Sequence, residues 1–280
     1  MAKKLSVNYY KKNMIKMHQS TIYSYKGIPR SRIATFDTFS IGLLKHHVSA
    51  LLEFDVTDSR KKLRELRKSG VNISFNAWLI KVISIVLMQH KEAAAFLYSK
   101  RKLMIFNDIN ISILVEKMID GKKVPIPLLI EKTNEKSALE INSEIIKAQK
   151  KGLTKQDIVL NQKPTRSENL YYSLPGVLRR TVWRIMLKNP KFVFHKMGNA
   201  VITSVGMMGL INGWFIHKSI HPISFGIGSI IKKPVVINNQ ITIREILNMT
   251  ILFDHDVMDG APMVRLLNDF NKYVEGGEQI

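Results

Sequence analysis

Cysteine is absent from the 280 residues. Its absence removes disulfides, thiolate catalysis and cysteine-ligated zinc or iron–sulfur centres, and it fits a reducing compartment. No run approaches the ~18 consecutive apolar residues of a membrane-spanning helix. The cationic start, MAKKLSVNYYKKNMIKMHQS, lacks the apolar centre of a secretory signal. The expectation is a cytoplasmic, water-soluble chain. Internal repeats and low-complexity tracts are also missing, which argues against solenoids and disordered linkers. Carboxylates are the scarce charge: 22 Asp and Glu stand against 43 Lys and Arg, for a net +21. That balance suits an anionic partner such as nucleic acid or lipid, or a polyphosphorylated ligand. It equally suits a lysine-rich composition that serves no binding, because the charge is spread along the chain.

What is present is ordinary globular material, with 45% hydrophobic and 23% charged residues, enough for a core without metals or disulfides. Residues 1–30 read as a basic N-terminal arm, and 31–280 as one domain. His47 to Val56 is strand-like, and DSRKKLRELRKSG reads as an amphipathic helix stopped at Gly70. Ser74 can cap a mostly apolar helix in which Trp78, Leu79, Val82, Ile83, Val86 and Leu87 recur at helical spacing. His90 near its end suits a core or helix-terminus role better than a ligand. Leu103–Phe106, Ile109–Val115 and Val124–Ile130 form candidate strands, the last two joined at Asp120-Gly121. Pro125 and Pro127 each lack a backbone donor, which predicts that the last of them is an edge strand or irregular. A further helix runs from Ser137 to Gly152. Helices and hairpins together predict an α+β class around a mixed sheet.

The chemistry gathers in Met249–Leu267, MTILFDHDVMDGAPMVRLL. An apolar, β-branched run ends at His255, and Asp259 and Gly260 follow in an H-x-x-x-D-G spacing. A histidine held where a strand stops is fixed by the backbone and reachable from the loop. Asp259 is close enough to brace the turn, and Gly260 allows a backbone that a Cβ would hinder. Spacing alone leaves a structural histidine and an Asp-Gly turn as the plainer explanation.

DHDVMDGAPMVRLLNDF resembles the C-terminal signature of the 2-oxo acid dehydrogenase acyltransferase (E2) catalytic domain, itself similar to chloramphenicol acetyltransferase. The family writes D-H-R-x-x-D-G-A, and Asp256 here replaces the arginine. The resemblance extends to Asp55-Val56-Thr57 leading into a helix, to the ILVEKMIDGKKVPIPLLI hairpin, to NAVITSVGMMG (199–209) and to PISFGIGSIIKKPVV (222–236). It implies a chloramphenicol acetyltransferase-like mixed sheet flanked by helices, and a homotrimer. The implied activity is acyl transfer between coenzyme A and a thiol, hydroxyl or amine. His255 would be general base, a role for which an imidazole of ordinary pKa about 6.5 is suited. Thr203 would supply the hydroxyl that donates to the oxyanion, although a β-branched strand residue needs no such role. Asp259 would support the loop, and Ser204, Gly206 and Gly260 would border the substrate. Gly226 and Gly228 suit close backbone approach. Lys232 and Lys233 are candidate partners for the coenzyme's phosphates, or a solvated turn. In the family the histidine and the hydroxyl meet across a subunit boundary. No bound metal, no lipoyl attachment and no nucleic acid are expected; the chain reads as a catalytic domain standing alone, served by a small acceptor or a separate lipoyl protein. The alternative is a trimeric scaffold that keeps the fold without the activity.

Residues 153–198 depart from the family. Val177, Leu178, Val182, Trp183, Ile185, Met186 and Leu187 are interrupted by Arg179, Arg180, Arg184 and Lys188. Such a helix can lie on a membrane surface, pack on the sheet with its cations snorkelling, or wall a pocket. The composition favours the last two, and an anionic-surface binder remains a third functional reading.

Overall fold

A computed structural model describes residues 23–28, 32–119, 122–150, 166–204 and 211–277. The chain order is α1 (Arg32–Gly42), β1 (His47–Asp55), α2 (Thr57–Lys68), α3 (Phe75–Gln89), β2 (Phe96–Ser99), β3 (Lys102–Met104), β4 (Ile111–Ile119) and β5 (Lys122–Ile130). There follow α4 (Ala138–Lys150), α5 (Arg166–Ser173), α6 (Gly176–Leu187), α7 (Pro190–Met197), β6 (Ala200–Ser204), β7 (Ile223–Ile237), β8 (Gln240–Asp254) and α8 (Gly260–Gly276). Six strands make a mixed sheet in the order β1-β8-β7-β6-β4-β5. β6 runs parallel to both β4 and β7, and the other pairs are antiparallel. The α+β expectation holds. β5 is an edge strand, as its two prolines require. The Asp120-Gly121 turn lies outside the described residues, but β4 and β5 pair as the expected hairpin.

α3 is the helical spine of the core. Ser74 accepts from the Ala77 amide and caps it. Trp78, Leu79, Ile80, Val82, Ile83, Val86 and Leu87 are all buried against β4, β7, β8 and α8. Each such side chain contributes roughly 1.5–3 kcal/mol on removal from water. His90 ends α3 and reaches Asp269 of α8 at 2.9 Å, a structural role as expected. α4 opens with a reciprocal cap: the Ser137 amide donates to Glu140 at 2.7 Å, and the Glu140 amide to Ser137 Oγ.

The sequence expected only the end of β8. The strand begins at Gln240, because Asn238 and Asn239 both adopt positive φ (50° and 63°) and close a tight hairpin with β7. Asparagine tolerates that region without being the usual Asn-Gly signal. β2 was also missed; its pair with β3 forms a separate ribbon.

The opposite face of the sheet is covered in part by residues 211–222. The Trp214 indole donates to Leu52 O at 2.9 Å, and the Ile211 amide to Ser229 Oγ. His217 Nε2 meets the Ser224 hydroxyl. His221 is buried; its Nε2 donates to Met197 O at 2.9 Å, while His47 Nε2 donates to His221 O. Burial pushes the His221 imidazole down to about 4, and lowers His47 and His217 in the same direction.

The divergent 153–198 stretch forms three helices in its described part, of which α6 is the expected basic amphipathic one. α6 packs on α1 rather than on the sheet. The joint is polar: buried Asp37 of α1 accepts from Arg179 Nε at 2.7 Å and from the Tyr171 hydroxyl at 2.8 Å. Trp183 Nε1 donates to the same Tyr171 oxygen. Burial, and then the bond to Asp37, push Tyr171 up to about 12.

Two predictions follow from these contacts. Removing one partner of a buried ion pair strands the other, so Asp37→Ala should cost about 3–5 kcal/mol in urea unfolding. Replacing both partners with apolar residues, Asp37→Leu with Arg179→Met, should cost much less. The second concerns acid. The folded chain holds His221 neutral, whereas the unfolded chain takes up a proton near pH ~6.5, so the unfolded state binds more protons below that value and stability falls until His221 itself titrates near 4. Unfolding free energies measured across that window should lose about 3 kcal/mol less in His221→Gln than in the wild type.

Candidate active site

β8 runs between β1 and β7, and Ile246 to Asp254 is buried without interruption. A strand covered on both sides reads as a mostly apolar run, and this buried run carries one ionisable residue, at its end. Asp254 is 2% exposed. Its carboxylate pairs with Lys45 and accepts from the Asp256 amide at 3.3 Å. Its carbonyl accepts from the Val257 and Met258 amides at 3.0 and 3.1 Å. These bonds fold residues 254–258 into the turn that carries His255. The His255 amide donates to His46 O at 3.0 Å, extending the β1–β8 ladder by one step. The imidazole itself is half exposed.

Asp259 does not brace this turn with its side chain. Its carboxylate is almost fully exposed and stands 4.0 Å from His255 Nδ1, beyond hydrogen-bond length. It occupies the N-cap of α8, but only its backbone carbonyl caps, accepting from the Met263 amide. The bracing expected of Asp259 is performed by Asp254. Gly260 likewise starts α8 without a positive φ, and a Cβ there would meet nothing within 4 Å, so within one chain its freedom is not used. Asp256, at the position of the family's arginine, meets His46 Nδ1 at 2.9 Å. The hydrogen bond and charge of Asp256 raise the His46 pKa. His46 escaped the sequence reading. The signal for it was the exchange of a cation for an anion at 256, with a histidine at the start of the pairing strand.

Thr203 lies on β6, whose start is set by Asn199: its Oδ1 accepts from the Asn110 amide at 2.8 Å and its Nδ2 donates to Asp108 O. Thr203 pairs with Gly226 of β7. That glycine is required, since a Cβ would lie 2.7 Å from His217 Nδ1; at Gly228 it would lie 2.7 Å from Asn248 O. By strand alternation Thr203 faces away from the helical layer, and Ser204 faces it, with its hydroxyl buried and unpartnered among the described residues. Gly206 lies outside the described residues.

Thr203 and His255 do not meet in one chain. The register carries Thr203 through Gly226 to Thr250, two strands across and five residues short of His255. At the usual strand dimensions that is about 16 Å along the sheet and about 10 Å across it. Lys232 and Lys233 lie beyond Thr203, on the distal half of the β7–β8 hairpin. Lys233 is held by Glu53 and stands 5.9 Å from the Trp214 ring, while Lys232 is exposed. Beside the turn, Met258, Pro262 and Arg265 border an open groove of about 400 Å³ with Met88, Gln89 and His90. Among the described residues no cluster of His, Asp or Glu could hold a metal.

The chain is 26% identical over 221 residues to the dihydrolipoyllysine-residue acetyltransferase component of the pyruvate dehydrogenase complex of Rickettsia conorii, covering 79% of this chain and 44% of that protein. It is 26% identical over 235 residues to the lipoamide acyltransferase component of the branched-chain alpha-keto acid dehydrogenase complex of Bacillus subtilis, covering 82% and 46%. The chain thus spans about half the length of these curated relatives. The fold matches the dihydrolipoamide acetyltransferase of Azotobacter vinelandii with a TM-score of 0.65 and 16% identity, over 92% of this chain and 93% of that one. That structure belongs to an investigation of the roles of a serine, a histidine and an asparagine in that enzyme's catalytic mechanism. The family model of 2-oxoacid dehydrogenase acyltransferase catalytic domains matches residues 45–158 and 195–280. The interval it skips falls within the three-helix segment that departs from the family. Matched over both halves of its sheet, including the His255 turn, this chain belongs to the 2-oxoacid dehydrogenase acyltransferase (catalytic domain) family.

Proposed function

We propose that this protein transfers an acyl group between coenzyme A and an acceptor nucleophile, with His255 as general base. The observation that carries the reading is the His255 turn, a half-exposed imidazole on a rigid strand end, in the matched part of the chain. His255 takes the proton of the attacking thiol, hydroxyl or amine. The new bond forms at the thioester carbonyl, the bond to the coenzyme's sulfur breaks, and the proton passes to the departing thiolate. The Thr203 hydroxyl donates to the oxyanion of the tetrahedral intermediate. Asp254 acts as a positioning residue, through the turn it holds. The relatives' names make a dihydrolipoyl thiol on a separate protein the first acceptor to test, ahead of small alcohols and amines.

Because the sheet holds Thr203 two strands across and five residues short of His255, the reading requires at least two copies, with each site taking its histidine from one and its hydroxyl from the next. Thr203 lies on the face left free by the helices, where a neighbour can approach. A closed ring of three, as the family resemblance implies, gives three such sites.

Turnover of acetyl-coenzyme A with dihydrolipoamide, followed by thiol release, should fall about 10²–10⁴-fold in His255→Ala. Thr203→Ala should lose about 10²–10³-fold in kcat, and Thr203→Ser should keep most of it. Folded wild-type protein that binds no coenzyme A and acylates no acceptor would refute the reading. A mixture of the two inactive variants, dissociated and reassembled at random, should regain about a quarter of wild-type activity, since a working site needs an intact histidine from one chain and an intact threonine from its neighbour. Failure of reassembled mixed oligomers to regain activity would place both groups in one chain.

A further inference from the structure

Helices α1 and α6 carry a surface that acyl transfer does not use. No residue of α6 is buried. Its inward side is already committed, with Arg179 on Asp37 and Trp183 on Tyr171. The outward side carries Leu178, Val182 and Ile185 at helical spacing, with Val177 beside them, at 52%, 41%, 65% and 67% exposure. Arg180, Arg184 and Lys188 recur every fourth residue along one flank of this stripe. Among the described residues none of the three forms an ion pair with a carboxylate. The neighbouring helix α1 repeats the pattern: Phe36, Phe39 and Leu43 are exposed in one row with Arg32.

The sequence around both helices is purged of acid. No Asp or Glu precedes Asp37, and none occurs from Asn169 to Arg244. The first acid, Asp37, is spent inside the joint between the helices. We propose that α1 and α6 form a docking surface for an anionic phospholipid bilayer. Aliphatic and phenylalanine side chains would enter the headgroup boundary, and the cation row would meet lipid phosphates. A nucleic acid would use the cations and leave the aliphatic stripe exposed. A two-fold contact with a second copy would set the cation row against itself, and a head-to-tail contact is separated from the bilayer by the oligomer measurement below. The bilayer answers both halves of the surface, apolar stripe and unpaired cations. The proposal stands apart from the acyl-transfer reading and from its failure.

Flotation of the full-length protein with vesicles tests it. Binding is expected to phosphatidylcholine vesicles containing phosphatidylglycerol and not to phosphatidylcholine alone, with weakening as salt rises. Arg184→Glu with Lys188→Glu, and separately Leu178→Asp with Ile185→Asp, should each reduce partitioning at least about tenfold, with far-ultraviolet circular dichroism and Tm unchanged. If the aspartate pair disturbs folding, Leu178→Ser with Ile185→Ser reads the same contact. Absence of binding to the anionic vesicles overturns the proposal. So does binding that ignores the apolar substitutions, which would be plain attraction of a basic protein. Oligonucleotide binding lost in the charge variant without vesicle binding would assign the face to nucleic acid. Loss of oligomer in the apolar variant by light scattering, without vesicle binding, would assign it to a second copy.

Discussion

A carboxylate sealed from solvent must find its partners locally, because an uncompensated buried charge is among the costliest defects a fold can carry. Asp254 satisfies that demand with Lys45 and with the amide of Asp256, and its carbonyl takes two more amides from the same turn. The arrangement binds the end of β8 to the segment entering β1 and leaves the turn little freedom. Everything proposed for His255 rests on it: the imidazole can be half exposed and still held, since its backbone is fixed from both sides. The pairing of His46 with Asp256 adds a solvent-facing contact to the same corner.

The fold was legible where local chemistry decides local structure. Ser74 as a cap, Gly70 as a stop with φ +95°, the prolines of β5 at an edge, and the apolar run of α3 all appear as their residue types dictate. The site was legible to the level of position, because a strand that ends in His255 announces itself. Its internal roles were not. Asp254, Asp256 and Asp259 are equally acidic on paper, and only the pairing of Asp254 with His47 across the β1–β8 ladder shows which one is buried. Asp259 looked like the brace because it completes the spacing, four residues after His255. The joint between Asp37 and Arg179 was out of reach, since the two residues are far apart in sequence and the family model matches neither of them. The Asn238-Asn239 turn was missed for a smaller reason: two asparagines can take the conformation usually signalled by glycine.

Thr203 and His255 show how a sheet can separate two groups while fixing both. β6 is pinned at its start by Asn199 and Asn110, and β8 at its end by Asp254. Neither group can drift toward the other without breaking a ladder of backbone bonds. Residues 211–222 cover the middle of the face between them through His217 and Trp214. The geometry of each half-site is therefore a property of the monomer, and only their meeting depends on assembly.

The edges of the sheet bear on a different property. β5 carries Pro125 and Pro127 on the same strand parity, so an incoming strand would find two donors missing in succession. That flank of the sheet thus resists zipping onto another copy, and growth into fibres by strand addition is discouraged there. The like-charged surface acts in the same direction, since net +21 keeps copies apart at high concentration.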